Sequence, residues 1–431
     1  MAWDFSTDAE FQKQLDWTGQ FVREDVWPLE TLDLTWPELR RVIRPLQQEV
    51  KDRGLWAAHL SPGLGGQGYG QVKLGLLHEI LGTSPLGPLV FGNQPPDSGN
   101  SEILAESGTA EQKRRWLEPL LAGDMLSAFA MTELDTPGAD PTQLATTAVL
   151  DGDEWVINGH KWFITNASIA DFVIVMAVTD PDAEPHRRVS QFIVPAGTPG
   201  MRVLRDLGTM EDPRPETQAY SSHAEMVFED VRVPTTAMLG ERGMGFAVAQ
   251  VRLGPGRIHH CMRWLGQARR AFDMLCERSL YRSVQGGVLA DKQTIRNWIA
   301  DSAAEMHAAR LMTLHAAWVA DTQGFKAARK EIAYVKYHGA RVLHDVIDRA
   351  VQAHGALGFS TDLPLEAMYR RARAARFYDG PDEVHRDSVA RLLLRSYTAP
   401  ENAVPTEHVP TRRDAARLRF AELLETATAD S

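Results

Sequence analysis

Ala145-Thr-Thr-Ala-Val-Leu-Asp-Gly-Asp-Glu-Trp-Val-Ile-Asn-Gly-His-Lys-Trp-Phe-Ile-Thr165 sets the fold class of this 431-residue chain. Its β-branched and aromatic residues crowd into short runs around Asp151-Gly152 and Asn158-Gly159, dipeptides suited to tight hairpin turns. Ala145 to Leu150, Trp155 to Asn158 and Trp162 to Thr165 are predicted strands, and Asp171 to Val178, Gln191 to Val194 and Glu225 to Phe228 extend the pattern. About six strands suffice for a small sheet or barrel. Asp180 to Arg188 and Asp212 to Ser222 read as polar, proline-bearing loops within it.

Outward from this stretch the period becomes helical. Thr7 to Glu10 has capping-box spacing and precedes Phe11, Leu15, Val22 and Val26 at near-helical intervals; Val72 to Leu81 and Glu111 to Leu121 are further helices. After Gly240 to Phe246 the helical pattern returns and runs to about residue 396. One long helix carries Ile258, Cys261, Met262, Leu265, Phe272 and Leu275, and another carries Ile332, Val335, Gly339, Val342, Leu343, Val346 and Ile347. Pro400, Pro405 and Pro410 mark a linker to a short helix from about Arg412 to Thr426. The expected architecture is therefore multi-domain α and β: an N-terminal α-helical domain (1–126), a barrel-like middle β domain (127–243), a C-terminal α-helical bundle (244–398) and a tail (399–431).

Several function classes drop out. Gly63-Leu-Gly-Gly-Gln-Gly68 matches GxGxxG, but Leu55 to Pro62 contains no β-branched residue, so a glycine-rich interhelical turn is expected in place of a dinucleotide loop. The 46 basic and 57 acidic residues give a net charge of −11, which disfavours nucleic acid and anionic membrane surfaces as partners. No stretch approaches ~18 uncharged apolar residues and the N-terminus lacks a signal-peptide pattern, so a soluble, cytoplasmic protein is expected. Cys261 and Cys276 lack CxxC or metal-ligand spacing and read as small core residues in a reducing compartment. His259, His260 and Cys261 adjoin, yet neighbours on a helix point ~100° apart, so packed helix residues are expected there and no metal.

A chemical candidate lies near the end of the bundle, in Tyr378-Asp-Gly-Pro-Asp-Glu-Val-His385. Gly380 permits unusual backbone angles, Pro381 suits a first helical position, and Asp382 and Glu383 complement the positive end of a helix dipole. Asp379 would then stand before a helix with its direction set by a stiff turn; on local grounds alone it is equally a turn residue.

Five motifs together decide more than any one does: Phe129-Ala-Met-Thr-Glu133 through Gly138-Ala-Asp140; Asn158-Gly-His-Lys-Trp-Phe-Ile-Thr-Asn166; Arg257 with Gly266 and Glu277-Arg278; Gln352-Ala-His-Gly-Ala-Leu-Gly-Phe359; and Tyr378-Asp-Gly380. From about residue 50 to 396 their order and spacing resemble the acyl-CoA dehydrogenase family, although Leu134-Asp-Thr-Pro137 departs from the family's more compact form. Gln94 to Asn100, Leu253 to Met262 and Gly380 to His385 look like the subgroup whose animal members can carry a kinase-like domain.

The resemblance implies FAD as cofactor. Met131 and Thr132, beside Phe129, would bond the flavin pyrimidine ring, Phe163 would lie against the flavin, and Thr165 would bond near N5. Arg278 would reach the FAD pyrophosphate of a neighbouring subunit, and the Gln352 to Gly355 turn would approach the diphosphate, with Gly355 either clearing that approach or simply capping its helix. Arg257 would lie at the start of its helix near the thioester end of an acyl-CoA, with Tyr378 and Gly380 also at the substrate. Asp379, where the family normally has Glu, would take the Cα proton while flavin N5 takes the Cβ hydride, giving 2-enoyl-CoA. Arg370, Arg371, Arg373 and Arg376 are either a salt-bridged face or a CoA-phosphate contact. The partners implied are an electron-transfer flavoprotein and further copies of this chain, as homodimer or homotetramer. The alternatives are a flavin oxidase of the same superfamily, a 4-hydroxy- or phosphoacyl-CoA processing enzyme, and a silent CoA-ester binding protein.

Overall fold

A computed structural model describes residues 6–64, 66–215, 220–401 and 403–424, with side chains throughout except at 251 and 253. Two compact units emerge, Met1–Arg386 and Asp387–Ser431. The first is built as helices, sheet, helices. Its N-terminal helices are α1 (Ala9–Phe21), α2 (Trp36–Asp52), α3 (Gln71–Leu81) and α4 (Asp97–Ser107). Asp8, not Thr7, caps α1: its carboxylate accepts from Phe11 N at 2.8 Å, while the Thr7 hydroxyl donates to Gln12 Oε1. A carboxylate at the N-cap satisfies the orphan donor directly, which displaces the expected box. Among the described residues no strand precedes the glycine-rich turn; Pro62–Leu64 is a short 3₁₀ turn ahead of α3, and Gly65 lies outside the described residues.

The middle segment forms eight strands among the described residues: β1 (Ser127–Ala130), β2 (Thr147–Asp151), β3 (Glu154–Thr165), β4 (Phe172–Val178), β5 (Val189–Pro195), β6 (Met201–Asp206), β7 (His223–Pro234) and β8 (Met238–Leu239). Their order is β6-β7-β3-β2-β4-β5-β8, with β1 parallel to β4. β2 and β4 share the single register pair Thr147↔Val178, so two half-sheets meet there, and Trp155, Ile157, Phe228 and Val231 from one pack with Val173, Val175 and Phe192 from the other. Asp151-Gly152 does turn a hairpin. Asn158-Gly159 does not: β3 runs straight through it, with a register shift against β7 between Ile157 and Gly159. A Cβ on Gly159 would lie 2.3 Å from Thr146 Oγ1, so the glycine serves a close approach at a bulge. β4 is buried on both faces, its Phe172 and Ile174 packing on Ile103, Leu104, Trp116 and Leu117, which explains its unbroken apolar run.

The C-terminal helices are α5 (Gly245–Tyr281), α6 (Gln293–Gln323), α7 (Arg329–His354), α8 (Leu365–Ala374) and α9 (Asp382–Leu394). α5 to α8 share one core with the N-terminal helices, in which Leu74, Leu77 and Leu81 meet Met262, Leu265 and Leu343. In the second unit, α10 (Val409–Arg419) starts three residues before the expected Arg412; residues 425–431, where that expectation ended, lie outside the described residues.

One buried ion pair locks β1 to β3. Lys161 is fully buried, 2.8 Å from Glu133 Oε1, and donates to Met131 O at 3.0 Å; Glu133 also accepts from Ala145 N and Thr146 N. Lys161→Met strands the carboxylate and is expected to lower unfolding stability by about 3–5 kcal/mol in urea titration. Adding Glu133→Met should recover only part of that, because the buried Thr146 N–H and the part-buried Ala145 N–H then lose their acceptor.

Candidate active site

The turn between α8 and α9 is held by its backbone. Tyr378 N closes the last helical bond to Ala374 O, after which Asp379 (φ +54°) and Gly380 (φ +96°) both adopt left-handed conformations. Short acids tolerate that region better than longer ones. Bonding resumes with Asp382 N to Arg376 O, and the Pro381 carbonyl accepts from Val384 and His385. Pro381 is thus the residue before the helix, not its first residue. Asp382 takes that first position, buried and 2.9 Å from Arg376 Nε. Three cationic or imidazole side chains grip the turn: Lys336 Nζ donates to Ala375 O (2.7 Å) and Gly380 O (3.2 Å), Arg257 Nε donates to Asp379 O (3.0 Å), and His385 Nε2 lies 3.2 Å from that same oxygen.

With its backbone fixed, Asp379 presents its carboxylate to His260, whose Nε2 lies 3.2 Å from Oδ2. Burial pushes the Asp379 carboxyl upward, but His260, Arg257, Arg252 and Lys336 together hold it below the usual carboxylate range. Burial and then Arg263 push His260 down to about 3, so at neutral pH it carries no charge and the cations that count are Arg257, Arg252 and Lys336. Arg263 donates through Nη2 to His260 Nδ1 (3.0 Å) and through Nη1 to His78 Nδ1 (3.2 Å). Tyr378 flanks the group, its ring 5.0 Å from His260 and its hydroxyl accepting from Trp264 Nε1 at 2.6 Å.

Two glycines bring α3 and α5 close enough for this. A Cβ on Gly266 would lie 2.0 Å from Glu79 O, and one on Gly82 would lie 2.2 Å from Arg263 O. Backbone contact of that kind stacks His78 on His259 (4.3 Å) and lets His259 Nε2 meet Gln71 Oε1 at 3.1 Å. His259 is therefore a packed helix residue, as expected. His260, one position on, points instead to Asp379.

Arg257 sits well inside α5, which begins at Gly245, and not at a helix start. Phe129, on β1, lies under the Arg252 guanidinium at 4.4 Å, and Arg252 also donates to Asn100 Oδ1 and faces Asp379 electrostatically. The strand and the turn thus meet across one arginine. Met131 and Thr132 follow with both carbonyls engaged, by Lys161 and by Trp162 N. Phe163 (φ +62°) stacks one face on His223 at 4.3 Å yet stays 38% exposed, and Thr165 Oγ1 lies 3.0 Å from His223 Nδ1.

Arg278, Gln352 and Gly355 form a second group. Arg278 is 21 residues beyond Arg257, ~32 Å along one helix. Its Nη1 donates to Tyr281 Oη, while its buried Nε has no partner among the described residues. His354, next to Gly355, senses the Arg278 charge. Gln352 is exposed and its carbonyl accepts from Gly355 N. Gly355 (φ +64°, ψ −136°) ends α7, and a Cβ there would meet nothing within 4 Å. Its backbone angles require glycine; clearance within this chain does not. The exposed aromatic face beside a hydroxyl in one group, and the unpartnered guanidinium nitrogen in the other, suit a ligand with a planar ring and an anionic phosphate end.

Arg370, Arg371 and Arg376 are salt-bridged to Glu366, Glu211 and Asp382. Cys261 is buried but Cys276 is only half-buried. Sequence reading passed over Lys336, Arg252, Arg263, His223 and the role of His260. Lys336 alone left a trace, as a charge four residues after Ile332 on the apolar face of α7.

Models of the acyl-CoA dehydrogenase N-terminal, middle and C-terminal domains match residues 8–124, 128–231 and 243–394. The chain is 43% identical to the probable acyl-CoA dehydrogenase FadE2 of Mycobacterium tuberculosis, over 91% of this chain and 93% of that protein. It is 40% identical to acyl-CoA dehydrogenase family member 10 of Mus musculus over 90% of its length, but spans only 37% of that longer relative. A solved structure from Mycobacterium abscessus, provisionally named an acyl-CoA dehydrogenase, superposes with a TM-score of 0.85 at 39% identity, covering 91% of this chain and 100% of that one. With the three domain models matched in order and near full-length identity above 40%, this chain belongs to the acyl-CoA dehydrogenase family of FAD-dependent oxidoreductases.

Proposed function

We propose that the protein oxidises an acyl-CoA thioester to the 2-enoyl-CoA with Asp379 as the α-proton base. The observation that carries this is the three-sided backbone grip on the turn, which leaves the Asp379 carboxylate ionised and fixed in direction. FAD, when bound, supplies the acceptor for the hydride leaving Cβ. Asp379 takes the proton from Cα, the C–H electron pair becomes the Cα–Cβ double bond, and the carboxylate returns to its ionised state by losing that proton to solvent. The Asp379 N–H, which closes no backbone bond among the described residues in the turn where φ is positive, would be the donor to the thioester oxygen as it gains enolate charge. Burial on substrate binding raises the carboxylate's basicity toward what the task needs.

Phe129, Met131, Thr132, Phe163 and Thr165 would hold the flavin ring, with Arg257, Tyr378 and Gly380 at the thioester. Arg278, Gln352 and Gly355 would hold the diphosphate of a second copy's FAD. The ~32 Å offset of Arg278 along α5 from Arg257 supports a homodimer or homotetramer with shared sites. Electron-transfer flavoprotein would reoxidise the flavin. A second reading concerns the acyl chain. Arg252, Arg257, Arg263 and Lys336 all interact with the one carboxylate of Asp379, and this surplus of positive charge favours a polar or anionic substituent such as 4-hydroxy or 4-phospho.

Anaerobic mixing of the FAD-loaded enzyme with short- to long-chain, 2-methyl, 4-hydroxy and 4-phospho acyl-CoA thioesters is expected to bleach the flavin with at least one of them. No bleaching with any would leave a silent binder, and oxygen consumption without an added acceptor would make it an oxidase. Asp379→Asn should slow bleaching by about 10²–10⁴-fold, and full turnover in that variant would remove Asp379 as the base. Lys336→Met should free the Ala375 and Gly380 carbonyls, slow bleaching by roughly tenfold, and lower urea stability by about 1–3 kcal/mol.

A further inference from the structure

Among the described residues, His260 is the side chain that approaches the Asp379 carboxylate at contact distance, and its other ring nitrogen is already occupied. A guanidinium can only donate, so the Nδ1 that faces Arg263 Nη2 at 3.0 Å must be the bare, accepting nitrogen. The single proton of the neutral ring is then on Nε2, the atom 3.2 Å from Asp379 Oδ2. Arg263 is itself steadied by His78, on α3, and the α3–α5 glycine contact sets the distance between the two helices.

We propose that His260 is a positioning residue: Arg263 fixes its tautomer, and its Nε2–H orients the Asp379 carboxylate and stabilises its ionised form, leaving Oδ1 for the substrate proton. This rests on the reading of Asp379 as base. It also removes His260 as a rival base, since neither ring nitrogen has a free lone pair toward the carboxylate side. The groups facing Asp379 are Arg252, Arg257, His260, Cys261 and Arg263 from α5, Lys336 from α7, His385 from α9, and Tyr378 beside it in the turn; burial pushes the Cys261 thiol up to about 12, so it stays uncharged. The arginines stay protonated across the working pH range, and lowering the pH only favours the protonated form of Lys336, whose buried ammonium is pushed below its ordinary value, so an effect of His260 on the acid limb is separable from theirs.

Two near-isosteric substitutions distinguish this role from packing. The Gln amide nitrogen falls close to imidazole Nε2 and keeps a donor toward Asp379; the Asn amide falls close to Nδ1 and keeps only the Arg263 side. The readout is the pH dependence of the anaerobic flavin-reduction rate with the fastest-bleaching acyl-CoA. The rate falls as pH drops through the Asp379 titration, and losing a donor to the anion raises that midpoint. His260→Asn is expected to move the acid limb up by about one pH unit with little change in the thioester concentration giving half the maximal rate, whereas His260→Gln should restore the wild-type limb. If both variants keep the wild-type limb, or both shift alike, the role is packing and the proposal fails. As a measurement independent of any variant's folding, ¹⁵N-histidine spectra of the FAD-loaded enzyme between pH 6 and 8 should show His260 as the Nε2–H tautomer. An Nδ1–H tautomer or an imidazolium would overturn it. Asp379→Asn separates the two levels: if it retains turnover the base assignment falls, and if it is inactive while the histidine results are negative, only the positioning role falls.

Discussion

Lys336 is a fully buried ammonium with no carboxylate in hydrogen-bond reach among the described residues, and its charge is answered by two main-chain carbonyls, Ala375 O and Gly380 O. An ammonium taken out of water needs acceptors, and an unmet one costs several kcal/mol. The chain can satisfy it only by keeping the α8–α9 corner against α7. The geometry of Asp379 follows from that requirement. Two consecutive left-handed residues, one of them not glycine, are unfavourable as an isolated turn, and here they persist because Lys336, Arg257 and His385 all bind the same few carbonyl oxygens.

The electrostatics of the site follow from the same crowding. Burial alone would make Asp379 a weak acid; instead Arg252, Arg257, Arg263 and Lys336 lie around it beside a histidine that burial keeps neutral, and the carboxyl is held below its usual range. Arginine does two different jobs here. Arg257 and Arg252 supply charge beside the carboxylate, while Arg263, by occupying two Nδ1 atoms, decides which nitrogen of each histidine carries a proton. An aspartate at position 379 fits its left-handed backbone, a region in which a short acid is better tolerated.

Much of the architecture was legible from periodicity. The alternation around Trp155 to Thr165 and the helical spacing from Ile258 to Leu275 are written in neighbouring residues, because each element buries one face. The errors have physical causes too. Asn158-Gly159 has hairpin composition, but its neighbour Thr146 needed the space of a missing side chain, and a bulge is locally indistinguishable from a turn. β6 went unnoticed because its Arg202, Val203, Leu204 and Arg205 are exposed and show no apolar alternation. Lys336 could have been suspected as a charge inside an apolar stripe; His260 could not, because nothing next to it in the chain announces Asp379, 119 residues away.

By itself, then, the sequence determined the order of helical and sheet segments, the order of the family motifs, and the acid proposed here as the base, since all three are properties of residues close together in the chain. Tertiary structure alone decided which groups surround that acid. α3, α5, α7 and the α8–α9 turn converge on it from distant parts of the chain, and proton positions on imidazole, the charge state of a carboxylate and the direction of a backbone N–H depend on atoms a few ångströms away in space, whatever their separation in sequence.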